Sequence, residues 1–344
     1  MSLFKKILII SCISIQFVES KVQDELIFIE KAPKKLSEFG FFKNMSAQIP
    51  AEGVLPYDLI SPLFSDYTDK LRFIYIPKSK AAKYRSNKVF DFPEGTALIK
   101  TFAYLNEHEN SEIPAQLLET RLLLKRNGEW INVSYVWDSN QDEAYLTVAG
   151  KTISTKFINN NGDYVDVRYR VPNINQCKEC HQIDKTITPI GPKLRNLDKE
   201  YVYDDGVFNQ LAKWHDQGWI DNKFDEVAMV DWTDKSKTVD QRARSYLDIN
   251  CAHCHIEGGS ADTSGLYLDY IEKREINLGI YKKPIATGRG SNNLKYSIVP
   301  GNPEESILLY RMKSLDPGVM MPESGRALEH TEAIELIGKW IKNL

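Results

Sequence analysis

Two short cysteine–histidine strings are the residues of this sequence with the clearest chemical potential. Each string has the pattern C-x-x-C-H, the first over residues 177–181 and the second over residues 251–255. Together they use four of the five cysteines of the chain, the fifth being Cys12 near the N-terminus. On a helical turn, residues i, i+3 and i+4 share one face. Both thiols of a string can therefore bond to the two vinyl groups of one porphyrin while the adjacent imidazole reaches its iron.

The spacing thus predicts two covalently attached haem c groups, and it assigns a role to each residue of the strings. The expected thioether anchors are Cys177, Cys180, Cys251 and Cys254. The expected proximal iron ligands are His181 and His255. We expect each imidazole to donate the hydrogen of its other ring nitrogen to a backbone carbonyl or a similar acceptor, as ligating histidines generally do.

Other uses of paired cysteines match the strings less well. A structural zinc site can use two C-x-x-C pairs, but such pairs usually lie closer together than Cys177 and Cys251. Zinc also leaves the histidine after each pair unexplained. A disulfide within each pair, or a thioredoxin-like redox pair, suits an exported chain but has the same weakness. Of these interpretations, only covalent haem assigns a role to both cysteines and to the histidine of each string.

A sixth ligand for the second iron is expected from the methionines that precede Pro322. Met320 and Met321 lie in a loop with glycine and proline between two predicted helices. A methionine held there would bind iron through a soft sulfur and raise the reduction potential. Filling a core gap is the commoner use of methionine. We expect Met321, directly before the proline, to be the ligand rather than Met320.

The sixth ligand of the first iron is open at this stage. His215, Met229 and His108 lie at plausible distances along the chain. Another residue, water or a vacant coordination position are the alternatives. We assign no ligand role to His253, between two cysteines, or to His330, near a predicted helix start.

Residues 21–170 have the pattern of a β-rich domain. Short runs of β-branched, aromatic and leucine residues alternate with turn residues, and Asn127-Gly128 is typical of a tight hairpin. We therefore expect an antiparallel sheet or sandwich. The predicted strands cover residues 71–76, 97–104, 117–124, 130–137 and 164–171.

After residue 172 the pattern changes to helices separated by irregular loops. We predict helices over residues 207–219 and 239–250, one opening at Asn302-Pro303 and a final one starting near Thr331. The expected class is α+β, an N-terminal antiparallel β-rich domain followed by mostly α-helical cytochrome c-like haem domains. The predicted segments are a signal peptide (1–20), the β-rich domain (21–170), a first haem segment (171–238) and a class I cytochrome c-like domain (239–344).

Composition limits the partners. The 344 residues carry a formal net charge of −3 and no basic block, so nothing favours nucleic acid. Beyond the N-terminus no apolar run is long enough to span a bilayer, and we expect no integral membrane protein. Residues 1–20 have a basic start and an apolar stretch, which predicts export to the periplasm. A competing interpretation is a lipoprotein signal with a lipid anchor at Cys12.

The sequence resembles the SO2930-like family of exported dihaem c-type cytochromes over most of the mature chain. That resemblance implies two haem groups and no particular reaction. The stretches that carry it are Pro56-Tyr57-Asp58-Leu59, Phe64-Ser65-Asp66-Tyr67, Leu98-Ile99-Lys100-Thr101-Phe102-Ala103-Tyr104, Glu119-Thr120-Arg121-Leu122, Asn175-Gln176-Cys177, Ile190-Gly191-Pro192-Lys193 and Arg242-Ala243-Arg244-Ser245-Tyr246-Leu247-Asp248-Ile249-Asn250-Cys251.

The C-terminal part is also similar to a class I cytochrome c domain. The matching stretches are Val299-Pro300-Gly301-Asn302-Pro303, Arg311-Met312, Met321-Pro322 and Ile337-Gly338-Lys339-Trp340-Ile341. The likeness implies Met321 as distal ligand. Gly191-Pro192 resembles the Gly-Pro of such domains, whose proline carbonyl accepts a hydrogen bond from the proximal imidazole. The chain departs from the pattern at the first string, which has no Met-Pro between Gly191 and the second string.

The expected function is electron transfer between redox partner proteins through two haems. An alternative is a dihaem peroxidase-like or other oxidoreductase, in which the Met-ligated second haem supplies electrons to an open first haem. A third possibility is that the β-rich half binds a surface, polymer or partner. The sequence leaves open whether the protein is a carrier or an enzyme.

Overall fold

The structure is a computed structural model that describes residues 21–106, 114–159, 161–221, 224, 226–285 and 287–344. The predicted signal peptide, with Cys12, and His108 lie outside the described residues. The strands are β1 (Phe42–Asn44), β2 (Ile49–Pro50), β3 (Val54–Tyr57), β4 (Asp69–Tyr75), β5 (Ala97–Tyr104), β6 (Gln116–Arg126), β7 (Glu129–Trp137), β8 (Ala144–Leu146), β9 (Lys151–Ile158), β10 (Tyr164–Val171), β11 (Gln182–Ile183), β12 (Thr186–Ile187), β13 (Glu200–Tyr203) and β14 (Gly206–Asn209).

Helices lie mainly in the second half of the described chain. They are α1 (Asp24–Phe28), α2 (Ile174–His181), α3 (Leu194–Leu197), α4 (Gln210–Asp216), α5 (Val239–Asn250), α6 (Glu275–Leu278), α7 (Ile307–Lys313) and α8 (Thr331–Asn343). Antiparallel strands and helices are both present, which agrees with an α+β class. None of the helices in the described ranges is both long and apolar enough to cross a bilayer.

The largest sheet is an antiparallel meander of six strands in the order β3-β4-β5-β6-β7-β8. Every neighbouring pair in it follows directly along the chain, and the connections range from the two-residue turn between β6 and β7 to the long segment 76–96 between β4 and β5. Between β6 and β7 the turn consists of Asn127 and Gly128, with φ of 51° and 79°. Two positive φ values belong to a tight hairpin turn that matches strand twist, which is why Asn-Gly predicts it.

The two faces of this sheet have different environments because side chains alternate along each strand. One face packs against the N-terminal segment, with Phe73, Ile99, Leu122 and Tyr135 in its core. The opposite face carries two further cores. The hairpin β9–β10 covers one of them through side chains such as Phe157.

The other core on this opposite face combines residues from both sides of residue 170. Ile74 and Leu98 from the sheet share it with Leu197, Trp214 and Trp219 from the later chain. Burying large apolar side chains stabilises the fold by roughly 1.5–3 kcal/mol each. The later segment is therefore held directly against the sheet.

The second cysteine string is placed by a helical core. Helix α5 packs against α8, and their shared core includes Leu247, Ile337 and Trp340. The boundaries of α5 and the start of α8 agree with the sequence prediction. At Asn302-Pro303 a 3₁₀ turn (Pro303–Glu305) precedes α7, so the helix starts later than predicted.

The predicted helix over residues 207–219 is wrong at its start. Val207 and Phe208 belong to strand β14, and α4 begins only at Gln210. The side chain of Asn209 accepts hydrogen bonds from the backbone nitrogens of Leu211 and Ala212, at 2.9 and 3.3 Å. Asparagine at this N-cap position sets the start of the helix, because it satisfies backbone donors that have no partner within the helix.

Candidate cofactor sites

The first string occupies the last turns of helix α2. Asn173 caps the helix by accepting hydrogen bonds from the backbone nitrogens of Asn175 and Gln176, both at 3.0 Å. Cys177 lies within α2, and His181 is its last residue. The i, i+3, i+4 spacing of the string therefore falls on one helix face, as the sequence predicts.

The second string follows helix α5 directly. Helix α5 ends at Asn250, but the backbone nitrogens of Cys254 and His255 both bond to the carbonyl of Cys251, at 3.1 and 2.9 Å. These bonds keep Cys251, Cys254 and His255 on one tight turn. The second string thus repeats the local arrangement of the first.

The tertiary structure brings the two strings together. Ligand atoms of Cys180, His253 and Cys254 all lie within 4.8 Å of one another. The segments after the strings also contact each other: Ile183 forms an antiparallel bridge with Gly259. No sequence signal indicated this convergence, because 74 positions separate the first cysteines of the two strings.

Both string-ending histidines have the same hydrogen-bonding state. Nδ1 of His181 donates to the carbonyl of Thr188 at 3.0 Å. Nδ1 of His255 lies 3.1 Å from Oγ of Ser264, and that hydroxyl donates its own hydrogen to the carbonyl of Ala261 at 2.6 Å. The Ser264 oxygen must therefore accept from His255. In both rings Nδ1 carries the hydrogen and the Nε2 lone pair is available to a metal.

Both acceptors are of the expected kind, a backbone carbonyl or a similar group. At the first string, the residue that supplies the acceptor differs from the expected one. The resemblance implied the Pro192 carbonyl as acceptor, whereas the structure uses Thr188. Burial, followed by the charge of Lys100, lowers the pKa of His181 to about 3. Burial, followed by His253, lowers the pKa of His255 to about 4. Both imidazoles are thus neutral near pH 7, the form that binds metals.

Cys180, His253 and Cys254 also form a donor set that a metal ion such as zinc accepts. Buried Nδ1 of His253 has no hydrogen-bond partner. A hydrogen bond with Cys254, then burial, raises the pKa of Cys180 to about 12, while the same bond lowers the pKa of Cys254. A zinc ion here would leave Cys177 and the neutral rings of both string-ending histidines without a role. The full set of donors fits two porphyrin attachment sites better.

A cavity lies between the first string and the large sheet. Cys177, His181 and Pro192 form part of one side, and apolar side chains such as Leu98 and Leu123 line the sheet side. Gly191 allows the close approach, because a Cβ there would lie 2.7 Å from the side chain of Leu59.

Three cations cross the floor of this cavity. The strand register pairs Arg72 with Lys100, and Lys100 with Arg121. All three line the cavity. Sequence reasoning missed them, although Lys100 is the single cation of the mainly apolar strand β5. Charged residues facing a buried side of a strand are the signal that could have identified them.

The loop with Met321 is tied to helix α7 near the second string. The backbone nitrogen of Met321 bonds to the carbonyl of Arg311 at 3.0 Å, and Nε of Arg311 bonds to the carbonyl of Val319 at 2.8 Å. After burial and His253, the charge of Arg311 is a further cause of the lowered pKa of His255. Met320 is buried, whereas Met321 is only partly buried. The Met321 side chain is therefore the more accessible of the two.

Two of the other candidate ligands for the first iron, His215 and Met229, lie away from the first string. His215 lies on the exposed side of α4, and Met229 is buried near Arg195, to whose carbonyl its backbone nitrogen bonds at 2.9 Å. Neither residue lines the cavity at His181. His108 lies outside the described residues. Sequence analysis assigned no ligand role to His253 or His330. His253 is buried beside Cys180 and Cys254. His330 is partly buried and stacks on Phe64.

Comparisons with family models, curated proteins and solved structures found no match to this chain.

Proposed function

We propose that this protein is an exported dihaem c-type cytochrome that transfers electrons between redox partner proteins. The observation that carries the proposal is the convergence of the two C-x-x-C-H strings at Cys180 and Cys254. Bound haem would supply a one-electron ferrous–ferric couple at each site. Convergence would let electrons pass between the two sites within one chain.

The residues that would hold the two groups form parallel sets. Thioether bonds would come from Cys177 and Cys180 at one site, and from Cys251 and Cys254 at the other. His181 and His255 would ligate through Nε2, since Nδ1 of each ring is already hydrogen-bonded. Met321 would be the sixth ligand at the second site. These Nδ1 bonds fix the tautomer and the ring orientation, which is the main contribution of the surrounding chain to ligation.

The finer domain assignment belongs to the same proposal. Residues 239–344 would form the class I cytochrome c-like domain, and residues 171–238 the first haem segment. Support comes from α5 leading into the second string and from the core that α5, α7 and α8 share. Residues 1–20 would direct export to the periplasm, with cleavage near residue 20 or a lipid on Cys12 as the two processing routes.

A second candidate function is an oxidoreductase with an open first haem. The specific observation in its favour is the lining of the cavity at His181. Among the described residues that line this cavity, none is a methionine and none is a second histidine. In that case the second site would supply electrons to the first, and the cavity would admit a small substrate.

The two proposals are tested on protein matured with a c-type haem attachment system. Intact mass and a pyridine haemochrome spectrum count the haems, and mass also locates the processing site. We expect two haems in the wild type and one in Cys177→Ala/Cys180→Ala. Colourless protein with only the polypeptide mass, or stoichiometric zinc in place of iron, would contradict the proposal.

Spin state separates the carrier from the enzyme. If both oxidised irons are six-coordinate and low-spin, and small ligands leave the spectrum unchanged, the carrier is supported. A high-spin first haem that binds small ligands supports the oxidoreductase instead.

A further inference from the structure

We propose that Lys100, with Arg121 beside it, forms a binding site for a small monovalent oxyanion in the cavity at His181. This inference rests on the second candidate function, the oxidoreductase with an open first haem, because it names the class of ligand admitted beside that haem. The proposed occupant of the cavity is a free anion and not a neutral ligand.

The first argument is the position of the cations. Arg72, Lys100 and Arg121 are direct neighbours on three adjacent strands, and all three side chains face one cavity. Like charges directly opposite each other on adjacent strands are destabilising. A row of three cations on the floor of a largely apolar cavity therefore needs negative charge nearby.

The second argument is which of these cations already has a carboxylate. Arg72 Nη1 bonds to Asp58 at 2.7 Å. Arg121 Nε bonds to Glu119 at 2.9 Å. Lys100, between them, has no ion pair with any carboxylate in the described ranges, and its ammonium lies 4.9 Å from the centroid of the Phe102 ring. One cation of the row is left for an external anion.

The third argument is proximity to the residues of the first string. The charges of Lys100 and Arg121 act on both His181 and Cys177.

The position of these cations favours a free anion over the carboxylates of the porphyrin itself. Porphyrin carboxylates and vinyl groups lie on opposite edges of the ring. The vinyl edge would be fixed at Cys177 and Cys180, near the two cations. A small anion that enters the cavity can reach Lys100 without that constraint.

The experiment measures nitrite binding by isothermal titration calorimetry on the matured protein, with imidazole as a neutral ligand of similar access. The variants are Lys100→Met and Lys100→Arg. Lys70→Met is the matched control, because Lys70 lies on the same face of the sheet, 6.0 Å from the Phe102 ring centroid, but does not line the cavity. Circular dichroism verifies that each variant is folded.

We expect Lys100→Met to weaken nitrite binding by about tenfold or more, as loss of a charge-assisted hydrogen bond does. Lys100→Arg should keep most of the affinity, and Lys70→Met should match the wild type. Imidazole binding should be the same in all four proteins. If Lys100→Met fails to fold, the nitrite affinity of Lys100→Arg must still be lower than that of Lys70→Met for the site to stand.

Three results overturn the inference: no nitrite binding by wild type, equal nitrite affinity in wild type and Lys100→Met, or a parallel loss of nitrite and imidazole. A changed midpoint potential in Lys100→Met without a changed nitrite affinity also overturns it, since that result assigns Lys100 to the porphyrin carboxylates. Failure of the dihaem proposal is distinguishable, because it appears beforehand as absent haem in the pyridine haemochrome spectrum. Calorimetry on that haem-free protein still measures whether Lys100 binds nitrite.

Discussion

The thiol of Cys254 donates a hydrogen bond of 3.4 Å to the backbone carbonyl of Glu179, the residue before Cys180. This contact joins the middle of one cysteine string to the middle of the other. It places the second cysteines of both strings side by side. Two porphyrins attached there would have neighbouring edges, which is the geometry that an intramolecular electron relay requires.

Replacing Met321 tests the distal ligand of the second site. In Met321→Ala we expect the midpoint potential of the C-terminal haem to fall by on the order of 100 mV, a fraction of the roughly 0.8 V that axial ligands span. The cause is loss of the soft sulfur that favours ferrous iron. Redox titration measures the midpoint potential. Binding of added imidazole measures whether the sixth coordination position has become vacant. Met320→Ala is the control and should keep the wild-type ligation; an unchanged spectrum in Met321→Ala removes the assignment.

Arg326 positions the loop that carries Met321. Its guanidinium donates to the carbonyls of Met312, Ser314 and Met321, at 3.2, 2.7 and 3.1 Å. Arg326→Met leaves these carbonyls without their donor, which costs about 1–3 kcal/mol for each buried group that stays unsatisfied. We expect lower stability in urea and partial loss of the Met321 ligation signal.

A surface arginine provides the control for Arg326. Arg289 pairs with Asp316 at 2.8 Å, and its side chain is 68% exposed. Surface pairs contribute about 0–1 kcal/mol, so Arg289→Met should be close to wild type in both measurements. Equal effects of the two substitutions would show that Arg326 has no special role at the loop.

His330 makes the fold sensitive to acid. Its ring stacks on Phe64 at a centroid distance of 4.0 Å, and Nδ1 lies 3.1 Å from the hydroxyl of Tyr246. Burial, followed by Lys70 and Arg326, lowers the pKa of His330 to about 3. In the unfolded chain a histidine has a pKa of about 6.5, so the unfolded state takes up the proton first as pH falls.

Stability should therefore decrease as pH falls through 6.5 toward about 3, with a slope of up to about 1.4 kcal/mol per pH unit from this residue. Urea unfolding at several pH values measures the slope. Between pH 6.5 and 5 the wild type should lose about 1.6 kcal/mol more than His330→Gln, which has no group to protonate. Parallel curves for the two proteins would exclude His330 as the cause.

Asp248 links the helix of the second string to the segment after the first. It accepts hydrogen bonds from Lys193 at 3.1 Å, Arg195 at 3.0 Å and the backbone nitrogen of Tyr270 at 2.9 Å. Asp248→Asn removes the negative charge from a buried network, and we expect a loss of about 3–5 kcal/mol in unfolding free energy. Chemical denaturation at pH 7 measures it.

Asp205 is the matched control for Asp248. It pairs with Lys213 at 2.6 Å on the surface, where its side chain is 64% exposed. Asp205→Asn should therefore leave the unfolding free energy close to that of the wild type. If Asp248→Asn costs no more than Asp205→Asn, the network does not join the two segments.

Much of the fold follows from local patterns. Strand β5 has the predicted bounds Ala97–Tyr104, because it is a short, mostly apolar run typical of a buried strand. Helix α5 has the predicted bounds Val239–Asn250, and the side chain of Thr238 caps its first turn. The hairpin turn at Asn127-Gly128 follows from residue type alone. Helix α4 was placed too early because apolar spacing continued through Val207, while the N-cap at Asn209 determines where helical hydrogen bonds can begin.

The sequence by itself determined which residues share a helical turn, because a spacing of three and four fixes their common face in any helix. It therefore identified both C-x-x-C-H strings and the role of each residue within them as a hypothesis. Only the tertiary structure brought Cys180 to Cys254 and placed Lys100 and His181 in one cavity. Such contacts depend on strand register and on how distant segments pack, and neither property is encoded by spacing along the chain.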